Sequence, residues 1–122
     1  MMALERKGMM PEPSRGDIWL VDLNPGQGHE QSGIRPALVI SVDLFNHGPA
    51  GLLVVLPITS KNKGIPMHVA INPQEGGLQL KSYIKTEDIR SISKERLLSR
   101  LGRVSELIME EVEDRISILL GL

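Results

Sequence analysis

Between Asp17 and Val104 the chain alternates short aliphatic runs with turn-forming residues, and beyond Val104 the period of its apolar residues changes. The runs Asp17–Leu23, Pro36–Val42, Leu52–Ile58, His68–Ile71, Ser82–Thr86 and Leu97–Val104 are each of strand length, and most are rich in β-branched or aliphatic residues. Asn24-Pro25-Gly26, His47-Gly48-Pro49, Lys63-Gly64, Asn72-Pro73 and Gly76-Gly77 punctuate them. Proline fixes φ, glycine permits positive φ and asparagine bonds its own backbone, so each group favours a turn. The pattern predicts a mostly β structure whose strand spacing suits an antiparallel barrel.

In the last segment Ile108, Val112, Ile116, Leu119 and Leu120 recur at helical spacing, with Glu106, Glu110, Glu113 and Asp114 away from most of that face. This predicts an amphipathic C-terminal helix. Ser105 can cap its start, Glu111 can pair with Arg115 one turn on, and Gly121 can end it.

With 122 residues there is room for one domain and one core. Residues 1–14 lack periodicity, and Pro11 and Pro13 forbid a continuous helix there. They read as a loose tail preceding a folded domain over 15–122. Trp19, Tyr83 and Phe45 are the only aromatics, so Leu, Ile, Val and Met must build the core, and stacking of nucleic-acid bases on aromatic platforms is hard to arrange. The chain has no Cys, which excludes disulfides, zinc–thiolate sites and thiol nucleophiles. No apolar run approaches the roughly 18 residues needed to span a bilayer, and no secretory signal is visible. The expectation is a cytoplasmic protein without a membrane partner.

The net charge of −1 conceals an uneven distribution. Lys61–Arg103 holds nine Lys and Arg against four acids, whereas residues 104–122 hold one Arg against five. A basic middle could neutralise phosphates, or it could be a solvated, salt-bridged surface; charge alone leaves both open.

Several chemistries find no support. His29, His47 and His68 lie in separate segments, none at a metal-ligand spacing, and each reads as a surface or turn histidine. There is no Gly-x-Ser-x-Gly elbow, no glycine-rich phosphate loop, and no clustered pattern among Asp17, Asp22, Glu30 and Asp43 to suggest a two-metal nuclease. Hence no metal and no cofactor is expected. What remains is Gly28-His29-Glu30-Gln31-Ser32-Gly33-Ile34-Arg35-Pro36, an acid, an amide and a guanidinium close together before an apolar strand. Pro57-Ile58-Thr59-Ser60-Lys61 closes another strand with two hydroxyls and an ammonium. Read for structure alone, these are strand ends, with Arg35 held by an exposed carboxylate.

In this order the segments resemble the MazF/PemK family of ribonuclease toxins. Arg15-Gly16-Asp17-Ile18-Trp19-Leu20-Val21-Asp22-Leu23-Asn24-Pro25 is similar to its opening strand, and Gly28-His29-Glu30-Gln31 to Arg35-Pro36-Ala37-Leu38-Val39-Ile40-Ser41 to its active loop and second strand. Pro57-Ile58-Thr59-Ser60 resembles the end of its third. Ile89-Arg90-Ser91-Ile92-Ser93-Lys94-Glu95-Arg96-Leu97, Leu101-Gly102-Arg103-Val104-Ser105 and the helix resemble its closing elements, so the likeness runs from about Arg15 to Leu122. His29 stands where family members often have a small residue, and Asp88 where Gln is common.

The resemblance implies an SH3-like β-barrel of the MazF/PemK/CcdB type with short helices. It also implies a homodimer that cleaves single-stranded RNA at short motifs, and an antitoxin whose extended tail blocks the RNA groove. Arg35, Thr59 and Glu30 become the expected catalytic residues. Arg35 would stabilise charge on the phosphate with its fork, Thr59 would orient the phosphate or the 2′-hydroxyl, and Glu30 would act as base or hold Arg35. His29, Gln31, Ser60, Lys61, Lys85, Arg90 and Arg96 become expected RNA contacts. Rival readings are a gyrase-type toxin on the same scaffold, an inactive regulatory protein that binds an antitoxin, and an SH3-like peptide module. The last is poorly served by three scattered aromatics.

Overall fold

The structure, a computed structural model, describes residues 11–122; the expected tail lies mostly outside these residues. Packing begins at Pro13, which is buried, and the Ser14 N–H donates to Asp17 Oδ2 at 2.8 Å.

Seven strands follow: β1 (Asp17–Asp22), β2 (Ile34–Val39), β3 (Leu52–Thr59), β4 (His68–Ile71), β5 (Ser82–Lys85), β6 (Arg90–Ser93) and β7 (Leu97–Arg103). A single helical turn, α1 (Asp43–Asn46), separates β2 from β3, and α2 (Glu106–Leu120) closes the chain. All pairings are antiparallel, in the order β4-β5-β3-β2-β1-β7, with β6 also on β3. β6 was not among the six runs read from periodicity: Arg-Ser-Ile-Ser offers only one apolar side chain. The second strand begins and ends earlier than expected, because Val42–Asn46 turns into α1.

β3 is the spine. Leu52–Val55 pair with β6, whereas Ile58 and Thr59 pair with β5. Pro57 falls in the gap between these partners, where a residue lacking an N–H is tolerated. Both faces of the sheet are covered. One carries Trp19, Val21, Ala37, Val39, Leu53 and Val55 against Ile92 and Leu97. The other carries Ile18, Leu38, Leu56 and Ile58 against Val69, Ile71, Ile84 and Val112 of α2. A strand covered on both faces reads as a continuous apolar run rather than an alternation, which describes Leu-Leu-Val-Val-Leu-Pro-Ile.

The fold is the expected SH3-like, mostly antiparallel arrangement, with its ladder of strand pairs left open between β4 and β7 at its two ends. The gap is bridged by a turn of 3₁₀ helix after β4, Glu75–Gly77, packed on β7 and β1. A Cβ at Gly77 would collide with the Leu101 backbone, and one at Gly102 with that of Gly76. Gly76 and Gly77 also have φ of +66° and +81°, which glycine alone adopts without strain. Closure is by backbone-on-backbone packing at this glycine seam.

Asp17 is buried at the start of β1, with Arg103 Nη1 at 2.9 Å, Arg100 Nε at 3.3 Å and the Trp19 indole N–H at 3.3 Å. Arg15 joins the Ile40 carbonyl to Glu113 of α2. In α2, Ser105 Oγ accepts from the Ile108 N–H and Gly121 forms the left-handed C-cap, as its sequence suggests. Arg115 pairs with Asp114 and the Pro66 carbonyl rather than with Glu111. Leu119 and Leu120 stay exposed because the last turn carries them beyond the core cluster.

Candidate functional site

Arg35 is the second residue of β2 and Thr59 the last of β3. The β2–β3 pairing ends at Ala37 and Pro57; beyond it, Arg35 and Thr59 line one cleft. Two sequence segments more than 20 residues apart are thus brought together where the two strands part.

A cleft of about 250 Å³ is lined by Arg35, Pro36, Ile58, Thr59, Ser60, Leu78, Leu80 and Ser82, among others. A second, of about 190 Å³, is lined by His29, Gln31, Thr59, Lys63, Ile65, His68, Lys85 and Glu87. Thr59 belongs to both, so the two clefts adjoin at this residue. Its hydroxyl oxygen accepts the Lys61 N–H at 3.2 Å, which leaves its own proton free to donate.

Arg35 is exposed, and its Nε donates to the Ser32 carbonyl at 3.2 Å. The expected carboxylate partner is not found: among the described residues no acid lies within ion-pair distance of Arg35. Its two terminal nitrogens are open to a ligand. Glu30 instead closes its own turn, accepting from the Gln27 N–H at 3.0 Å while its N–H donates to the Gln27 carbonyl at 3.1 Å. It lines neither cleft, whereas His29 and Gln31 on either side line the second.

Apart from His29 and Gln31, the expected RNA-contact residues divide into two groups. Ser60 and Lys61 are exposed at the end of β3. Lys85, Arg90 and Arg96 are engaged with the protein. Lys85 Nζ donates to Gln31 Oε1 at 3.2 Å and lies 3.7 Å from Asp88 Oδ2. Arg90 Nη2 donates to the Gln31 carbonyl at 2.6 Å and to Asp88 Oδ2 at 3.2 Å. Arg96 Nη1 donates to the carbonyls of Asp22, at 3.0 Å, and Asn24. These cations hold the loop between β1 and β2 at both its ends.

His68 differs from its expected surface position. Its side chain is only 3% exposed, Nε2 lies 2.8 Å from Glu87 Oε2, and Nδ1 is buried without a partner. Neither Glu87 nor the cleft residues Leu78 and Leu80 carried any local sequence signal; they reach the site through β5 and its flanking turns. Among the described residues no group of three or more His, Asp and Glu side chains is arranged to hold a metal ion, and no helix is long and apolar enough to cross a membrane.

An antiparallel sheet that brings an exposed guanidinium, without a carboxylate partner among the described residues, into one cleft with a threonine hydroxyl has the groups to bind an anion such as a phosphodiester. The family model for PemK-like, MazF-like toxins of type II toxin–antitoxin systems matches residues 14–120, and the chain belongs to that family. It is similar to the endoribonuclease MazF of Staphylococcus saprophyticus, with 43% identity covering 88% of this chain and 91% of that protein. It is also similar to the endoribonuclease EndoA of Bacillus subtilis, with 34% identity covering 88% and 94%. The crystal structure of MazF from Deinococcus radiodurans superposes with a TM-score of 0.83 at 30% identity, covering 92% of this chain and 99% of that one.

Proposed function

We propose that the chain is a toxin that cleaves single-stranded RNA at short sequence motifs without a metal, acts as a homodimer, and is restrained by a cognate antitoxin. The observation that carries this reading is the cleft that Arg35 and Thr59 line together, with the guanidinium unpaired by any described carboxylate. The names of the similar proteins, endoribonucleases, support it. Solved MazE–MazF complexes of Deinococcus radiodurans support the antitoxin partner.

RNA carries its own nucleophile. The 2′-oxygen attacks the adjacent phosphorus as the bond to the 5′-oxygen breaks; the 2′-hydroxyl loses its proton, the 5′-oxygen gains one, and a 2′,3′-cyclic phosphate remains. The protein then supplies orientation, charge stabilisation and proton transfer. Arg35 fits the second task, since its fork can hold two phosphate oxygens and stays cationic; that permanence makes it a poor proton donor. Thr59 donates its free hydroxyl proton to a phosphate oxygen or the 2′-oxygen. Glu30 accepts the Gln27 N–H through Oε1 alone, so its other oxygen can serve as base, but only if its loop carries it into a cleft that it does not now line.

The test is incubation of the purified protein with EDTA and a long single-stranded RNA, beside Arg35→Ala and Thr59→Ala, with fragment ends mapped by primer extension and end-group chemistry. Cuts at one short motif bearing 2′,3′-cyclic phosphate and 5′-hydroxyl ends, absent from both variants, are expected. Intact RNA with retained antitoxin binding overturns the chemistry and points to a protein target.

A further inference from the structure

We propose that Asp88 is a positioning residue: it latches the loop between β1 and β2 onto the turn between β5 and β6, and through that loop fixes the Arg35 guanidinium. This rests on the ribonuclease reading and deepens it.

Gln31 is held at three points. Its backbone N–H donates to Asp88 Oδ2 at 2.9 Å, its carbonyl accepts from Arg90 Nη2 at 2.6 Å, and its side-chain oxygen accepts from Lys85 Nζ at 3.2 Å. Asp88 organises all three, because the same Oδ2 also lies 3.2 Å from Arg90 Nη2 and 3.7 Å from Lys85 Nζ. The side chains of Asp88, Lys85 and Arg90 are 13%, 11% and 17% exposed. Charges this far withdrawn from water interact more strongly than surface pairs, and removing one partner strands the others. The next carbonyl along the chain, that of Ser32, accepts the Arg35 Nε. Asp88 therefore acts on Arg35 through one short path: carboxylate to Gln31 N–H, the two residues Gln31 and Ser32, and Ser32 carbonyl to guanidinium.

Without the carboxylate, Lys85 and Arg90 repel each other beside the loop and Gln31 loses its acceptor. The loop and Arg35 then sample several positions, while the exposed Lys61 and Lys63 still attract RNA. Loss of orientation is felt in the chemical step rather than in binding.

The experiment compares wild type, Asp88→Ala, Asp88→Asn and Asp88→Glu in single-site RNA cleavage and in amide hydrogen exchange of the RNA-free protein. For Asp88→Ala the expected result is a fall in kcat of about tenfold or more with KM within about threefold. Exchange at the Gln31 amide should accelerate about tenfold, as for loss of a bond to a charged acceptor, with Ile58 and Ile84 unchanged. Asp88→Glu, which keeps the charge, should recover more kcat than Asp88→Asn, which keeps only an acceptor. Two results overturn the latch: wild-type kcat in Asp88→Ala beside an active wild type, or a loss of kcat accompanied by equal loss of protection at Ile58 and Ile84, which is general destabilisation. A wild type that leaves RNA intact is instead a failure of the ribonuclease reading, and the Gln31 exchange rate still separates the two.

Discussion

Arg35 presents a planar fork, and its only described protein partner is a carbonyl on Nε, so both terminal nitrogens can meet two oxygens of one phosphate. A lysine keeps the charge but cannot span two oxygens. Arg35→Lys should therefore lower kcat/KM by about tenfold or more while leaving the melting temperature unchanged; near-full activity in steady-state cleavage would remove the need for a fork. Asp43 supports a different single-residue prediction. The Arg15 N–H donates to its Oδ1 at 2.7 Å and, with help from Asn46, His47 and Arg103 and against partial desolvation, holds its carboxyl below the ordinary value of 3.8. Since the folded value is the lower one, the contribution to stability is complete above the unfolded value and disappears as pH falls through the folded one. Melting curves of wild type and Asp43→Asn should differ near neutral pH and converge in strong acid. At this scale the sequence placed Arg35 and Thr59 at strand ends next to recognisable turns, and only the family resemblance singled them out from other strand ends. The sequence marked Asp88 only as a departure from the family pattern, misplaced His68 at the surface and was silent on Glu87, because their roles depend on partners about 20 to 60 positions away.

The strands divide by how much of their burial is periodic. β1 and β3 could be read directly because they are apolar along most of their length, and α2 because its period changes and its caps are local. β6 could not, since its place beside β3 is secured by backbone pairing and one side chain, Ile92. Barrel closure was equally hidden: it joins residues 76–77 to 101–102 by the absence of side chains rather than by their presence. Gly102→Ala forces a Cβ into the Gly76 backbone, and Gly77→Ala adds positive φ to a collision with Leu101. Each should cost about 2–4 kcal/mol in chemical denaturation. Gly51→Ala and Gly64→Ala, at positive φ but with open space around the new Cβ, should cost only about 1 kcal/mol. Gly102 lies outside the positive-φ region, so a negligible cost for Gly102→Ala would mean that crowding is not what the seam resists.

Across the whole molecule the basic middle of the chain is not one uniform surface. Lys85, Arg90 and Arg96 are committed to the loop between β1 and β2, whereas Lys61 and Lys63 are exposed beside the two clefts. Counterion release makes the salt dependence of RNA affinity a count of phosphates neutralised. Replacing Lys61 and Lys63 by Gln should flatten the slope of log K against log salt by about 0.7 for each phosphate that is no longer neutralised. Replacing Arg96 should leave that slope as it is. Fluorescence titrations of a labelled single strand at several salt concentrations measure both, and a large change in slope from Arg96 alone would return that residue to the RNA surface.

The glycine seam also bears on how such a chain can diverge. An aliphatic residue of the spine can be exchanged for another of similar volume, because neighbouring side chains repack. At the seam the neighbour is main chain, which cannot be substituted, so a single change at Gly77 or Gly102 has no partner change that would accommodate it. Away from Arg35, Thr59 and the Gln31–Asp88 contact, lineages descending from this sequence can vary their clefts and loops, and with them the RNA they attack, provided that these two positions stay empty of side chains.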